Sequence, residues 1–126
     1  MSQTLFINEA TVQRLRQLRA EPKFHEDMPT FYPGAPNEEV RSRCEHQLNA
    51  LLDRLITGLP THAAKQYVLE EFRTTLTSFR PEDSEECDRL LHYMEQIMDV
   101  TGIESSDGLL NEWRYGFDPT KPPNIL

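Results

Sequence analysis

Residues 37–60, NEEVRSRCEHQLNALLDRLITGLP, decide the fold. Val40, Cys44, Leu48, Leu51, Leu52, Leu55 and Ile56 recur at spacings of three and four, the period of a helix that buries one face. Asn37 has the chemistry of an N-cap, and Glu38 and Glu39 place negative charge where the helix dipole favours it. Gly58 and Pro60 end the pattern: a glycine suited to a left-handed C′ position, then a residue that cannot continue a helix. The stretch therefore predicts one long amphipathic helix, and its neighbours repeat the reading.

Downstream, Thr61 is the expected cap of a third helix with Ala64, Val68, Phe72, Leu76 and Phe79 on one face, closed by Arg80-Pro81. Asp83 followed by Glu86 has the form of a capping box. It opens a fourth helix whose apolar face is Cys87, Leu90, Leu91, Met94, Ile97 and Met98, with Gly102 as its C′ residue. A short fifth helix, capped by Ser105 or Ser106, takes in Leu109, Leu110 and Trp113. Upstream, Asn8 caps a first helix through Val12, Leu15 and Leu18, with an Ile7–Val12 hydrophobic staple, and Pro22 closes it.

Between the first two helices lies EPKFHEDMPTFYPGAP, residues 21–36, too rich in proline for a helix. Its Phe24, Met28, Phe31 and Tyr32 argue for an ordered loop wrapped on the body, because flexible linkers are poor in aromatics. The tail FDPTKPPNIL reads as extended, and Trp113, Tyr115 and Phe117 as residues that lock the chain end onto the bundle or form a binding rim. No segment alternates as a strand does. The expected fold is all-α: a single domain over residues 1–126, a small helical bundle of three long helices with short flanking ones.

Charge is distributed unevenly along this chain. Residues 82–112 hold ten carboxylates against one cation, Arg89, while residues 1–81 balance at ten acids and ten bases. Residues 113–126 add +1, so the formal net charge of −8 is one concentrated acidic region (0 − 9 + 1). Such a region attracts basic partners and repels nucleic acid and anionic membranes. No apolar run approaches the ~20 residues of a membrane span. The N-terminus lacks the basic start and apolar core of a secretory signal. Cys44 and Cys87 both fall on apolar helix faces, where free thiols behave as small hydrophobes, so the expected setting is the reducing cytoplasm.

On the fourth helix Glu85, Asp88, His92, Glu95 and Asp99 fall along one line beside the apolar face. Acids in the first turn suit the dipole and need no function, and a solvated face accounts for most charge runs. Glu95 and Asp99 are different: a like-charge i,i+4 pair toward the carboxyl end works against the helix by ~0.2–0.5 kcal/mol. The functional expectation is a recognition surface for a basic protein, made of Glu85, Asp88, His92, Glu95, Asp99, Glu104 and Asp107 with Trp113 as an aromatic anchor. The alternative is a metal or ligand site on Asp88 and His92, which sit at i and i+4. No Glu-x-x-His pair, His-Glu-x-x-His helix, Cys-x-x-Cys or EF-hand loop supports that alternative.

The chain has no serine-nucleophile elbow, phosphate-binding glycine loop or dinucleotide fingerprint. His46 and His92 stand at helical offsets from Cys44 and Cys87 that do not bring imidazole to thiol. Arg14, Arg16 and Arg19 form a basic patch too isolated for nucleic acid in an acidic chain. Catalytic residues, metal and cofactor are therefore expected to be absent, and the role to be protein binding, with a homodimer also open.

Residues 93–100, YMEQIMDV, with residues 102–119, GIESSDGLLNEWRYGFDP, resemble a bacterial family of small helical proteins catalogued as domain of unknown function 4844. The resemblance implies a mainly helical domain and transfers no catalytic residue. By size and charge, the chain is analogous to acidic immunity or inhibitor proteins that cover a basic enzyme with carboxylates.

Overall fold

The computed structural model describes residues 3–80 and 83–116. Five helices follow one another: α1 (Glu9–Ala20), α2 (Glu38–Gly58), α3 (Lys65–Ser78), α4 (Ser84–Thr101) and α5 (Leu109–Tyr115). Among the described residues there is no strand, only two isolated bridges, Thr4 with Ala64 and Asp27 with Tyr32. The fold is the expected helical bundle. Its neighbours run α1, α2, α3, α5, α4 and back to α1, so the short α5 fills the gap between α3 and α4. The predicted faces of α2, α3 and α4 meet in one core that includes Leu48, Leu51, Leu55, Phe72, Leu90 and Met94, all sealed from solvent.

Local chemistry explains the helix ends. Asn8 accepts from the Thr11 N–H at 2.9 Å while the Thr11 hydroxyl receives the Asn8 N–H, a reciprocal cap on α1. Asn37 accepts from the Val40 N–H and starts α2. Gly102 adopts φ +81° at the end of α4, and the Ile103 N–H reaches back to the Met98 carbonyl at 2.9 Å.

Several ends depart from the sequence expectation. Thr61 does not cap α3, because its hydroxyl turns back to the Gly58 carbonyl. That helix starts after Ala64, where the N-terminal segment pairs with the chain: the Leu5 N–H donates to Ala63 O and the Lys65 N–H to Gln3 O, both at 2.8 Å. Gly58 is the last residue of α2 and not a left-handed C′ residue. Asp83 and Glu86 form no capping box: Asp83 ion-pairs with Arg43 of α2. Glu86 instead turns inward. At α5 the N-cap position is Gly108, φ +88°, while Ser106 Oγ accepts from the Leu110 N–H at 3.4 Å. Pro81 and the tail from Phe117 onward lie outside the described residues.

The proline-rich loop is ordered as expected, through a different set of residues. Phe24 and Tyr32 are buried, whereas Met28 and Phe31 point to solvent. Lys23 is sealed in with them, its ammonium donating to the Arg19 and Glu21 carbonyls at 3.0 and 2.7 Å, so a lysine satisfies the end of α1. Burial pulls its pKa below the usual lysine value, against Glu45, whose carboxylate receives the Lys23 N–H.

Candidate functional site

The α4 stripe lies where its period places it, along the border of the packed face. Glu85, Asp88, Glu95 and Asp99 are exposed and His92 is half-buried between them. Two members of the expected set are engaged within the fold. Arg114 of α5 grips Asp88 with both ends of its guanidinium, at 2.5 and 3.3 Å, and Lys65 of α3 pairs with Asp107 at 3.0 Å. Among the described residues no ion pair engages Glu85, Glu95, Asp99 or Glu104.

The stripe borders two concavities. Toward the C-terminal end of α4, Glu95, Asp99 and Glu104 stand on a groove of about 320 Å³ that also contains Met98, Ile103 and Leu110. Gly102 makes this possible, because its left-handed turn swings Ile103 and Glu104 back alongside the helix they follow. The lining is mainly polar, with Ser105, Ser106 and Asn111 beside the carboxylates above the buried Met98, Ile103 and Leu110, so the groove offers oxygens to the head of a lysine or arginine. Toward the N-terminal end, a cleft of about 290 Å³ separates α4, at Glu85, Asp88, Arg89 and His92, from the loop tip at Phe31.

Trp113 is turned toward the body rather than the acidic face. Its indole N–H donates to the Leu76 carbonyl at 3.1 Å and its ring meets Phe79 edge-on. Of the aromatic trio, Tyr115 is exposed and Phe117 lies outside the described residues.

Arg89, the one cation of the acidic run, holds the cleft wall. It donates to Asp27 at 2.9 Å and Thr30 at 2.8 Å, and its guanidinium lies between the Tyr32 and Tyr93 rings, 4.8 and 5.0 Å from their centres. This brace was not read from the sequence. The signal was there, a lone arginine in a run of acids, but its partners stand some 60 residues upstream. Burial foremost, then the neighbouring Arg89 charge, hold the His92 imidazole below its ordinary pKa against Glu95 and Asp27, so it is neutral at physiological pH.

Glu86 completes the brace. It is 4% exposed and accepts from the Tyr32 hydroxyl at 2.9 Å. Burial first, with Asp83 and Glu85 adding like charge, raises its pKa above the ordinary carboxylate value, despite the Tyr32 hydrogen bond. A carboxyl group whose pKa is raised on folding weakens the fold as pH rises through that window, because the native state must give up a proton it prefers to keep. Glu86→Gln retains an acceptor for Tyr32 and removes the buried charge. The variant is expected to be more stable than the wild type at neutral pH by about 1 kcal/mol, with the advantage shrinking toward pH 4. Urea unfolding from pH 4 to 8 measures this; a stability difference that does not change with pH counts against it.

Other chemistry is sparse. Both cysteines are free and buried, and desolvation pushes their thiols up, to about 12 for Cys44 and about 11 for Cys87, so neither is a thiolate nucleophile at physiological pH. Among the described residues no three His, Cys, Asp or Glu side chains converge as a metal-binding set, and Asp88, half of the Asp88/His92 pair, is occupied by Arg114.

A family model described as "Domain of unknown function (DUF4844)" matches residues 7–118, from the start of α1 past the end of α5. The chain belongs to that family. The DUF4844 chain is also similar to the crystal structure of a DUF3571 family protein from Acinetobacter baumannii AYE. That comparison has a TM-score of 0.74 and 24% identity, covering 84% of this chain and 89% of the other, a likeness of fold. No curated protein matches. Among the described residues no helix is long and apolar enough to cross a membrane.

Proposed function

We propose that this DUF4844 domain is a non-catalytic protein-binding module of the immunity or inhibitor type, which docks a basic partner in the cytoplasm through the acidic face of α4. One observation carries the reading: Glu95, Asp99 and Glu104 share one groove, and no ion pair within the described residues neutralises them. The like-charge Glu95–Asp99 pair, a small burden on the helix, gains a reason if lysines or arginines of another protein sit there. The same charge disfavours an isologous dimer through this face, since each copy would present carboxylates to carboxylates.

The test is kinetic. A partner is captured from the source cell, purified, and its association measured with the wild type and with Glu95→Lys/Asp99→Lys. Both side chains are exposed, so the variant is expected to melt as the wild type does. Its association rate is expected to fall by roughly tenfold or more at low salt, with the gap closing at high salt as the charges are screened. Equal rates at low salt sink the proposal.

A further inference from the structure

The tip of the proline-rich loop breaks two rules at once. Phe31 is 88% exposed and Met28 beside it 60% exposed, an apolar pair presented to solvent. Phe31 also adopts φ +60°, ψ 28°, the left-handed conformation that suits glycine or asparagine and strains a bulky side chain. It therefore gives the fold neither burial nor an easy turn. A residue that costs the fold at both levels belongs to the class retained for function.

The tip is also rigidly held from behind. The Asp27 N–H donates to the Tyr32 carbonyl at 2.8 Å and the Tyr32 N–H to the Asp27 carbonyl at 3.0 Å, closing the hairpin on either side of Met28–Thr30. Arg89 ties Asp27 and Thr30 to α4, and Glu86 ties down Tyr32. An aromatic side chain on a braced support loses little freedom when it docks, and exposed aromatics of this kind dominate interface energies.

We infer that Phe31 is the apolar anchor of the docking face, inserting into a pocket of the same basic partner whose lysines or arginines meet Glu95 and Asp99; this rests on the reading above. Continuity along α4 supports one occupant for both. Phe31 borders the cleft beside Glu85 and Asp88, and Asp99 lies fourteen residues beyond Glu85, about 21 Å along the helix. That span fits within one partner's share of a standard interface, about 800 Å². The partner is thus a protein carrying an apolar pocket beside a basic patch.

Phe31→Asn in the full chain tests the assignment in two ways. Asparagine accepts the left-handed turn, so the melting temperature is expected to stay the same or rise; a fall of more than roughly 5 °C shows that Phe31 serves the fold and overturns the inference. Against the purified partner, the dissociation rate is expected to rise by at least tenfold while association and its salt dependence are unchanged. An unchanged dissociation rate overturns the anchor and leaves acidic docking standing. A dissociation effect at Phe31 with no association effect at Glu95 and Asp99 overturns the joint partner and the acidic reading.

Discussion

Arg89→Ala is expected to destabilise the protein by about 3 kcal/mol and lower its melting temperature by roughly 10 °C. The side chain is only 10% exposed and serves four groups at once. Stacking between Tyr32 and Tyr93 contributes up to about 1 kcal/mol per ring where water is excluded. The bonds to Asp27 and Thr30 are charge-assisted and close the loop onto α4. Asp27 is about a third exposed, so its ion pair adds little, and the rest of the loss comes from the buried Arg89 stem and the loop it no longer holds. Arg89→Lys keeps the charge and loses the planar stack, so an intermediate loss is expected. Hydrogen exchange localises the effect: the Asp27 and Tyr32 amides, which close the hairpin, should lose more protection than the α2 core. Unchanged melting, or a loss spread evenly over the chain, contradicts the brace. The pair also responds to acid. Hydrogen bonds from Arg89 and then Thr30 hold the Asp27 carboxyl below its ordinary pKa, so its stabilising contribution is lost as pH falls through that lowered value. Arg89→Ala should reduce that acid-side loss, leaving the part that Thr30 supplies.

The contrast between Arg89 and the leucines of α2 indicates what could be read from the chain alone. Leu48, Leu51 and Leu55 declare themselves by spacing, because burial on a helix face is a one-dimensional signal. Asn8 and Gly102 are legible for the same reason, since a cap's partners lie within a turn. Glu86 reads as the capping-box partner of Asp83 because the group that claims it, Tyr32, is 54 residues away. Asp83 was taken by Arg43, 40 residues upstream, before it could cap its own helix. Lys23 had the composition of a surface residue and became a buried cap on α1 through a backbone that folds over it. The same limit cuts into the acidic stripe: Asp88 and Asp107 have counter-ions from α5 and α3 that no helical wheel of α4 contains. Glu95, Asp99 and Glu104 face the groove on which the proposal rests, and the exposure of the aromatic tip shows only in the folded loop.

Gly58 allows the sharpest test of such a distant constraint. It was expected at a left-handed position, yet it sits within α2, and what it provides is space: a Cβ there would overlap the phenol of Tyr67 from α3. That ring crosses the end of α2 to donate its hydroxyl to the Arg54 carbonyl at 3.1 Å, and it stacks on His62. The atoms met first are the Tyr67 hydroxyl and the ring carbon that bears it, pinned by the bond to Arg54, so relief requires the ring to leave that bond or α3 to shift. Gly58→Ala is therefore expected to cost about 2–3 kcal/mol, although alanine is the better helix former by ~1 kcal/mol. Gly102 is the control. Its φ of +81° penalises any side chain, but a Cβ there meets nothing within 4 Å, so Gly102→Ala should cost only about 1 kcal/mol. A double-mutant cycle separates the two causes. With Tyr67→Ala in the background, Gly58→Ala should become neutral or stabilising, giving a coupling of ~2–3 kcal/mol in urea unfolding, whereas Gly102→Ala should add to Tyr67→Ala without coupling. If the cost at 58 persists without the ring, the glycine is there for its backbone and the steric account is wrong.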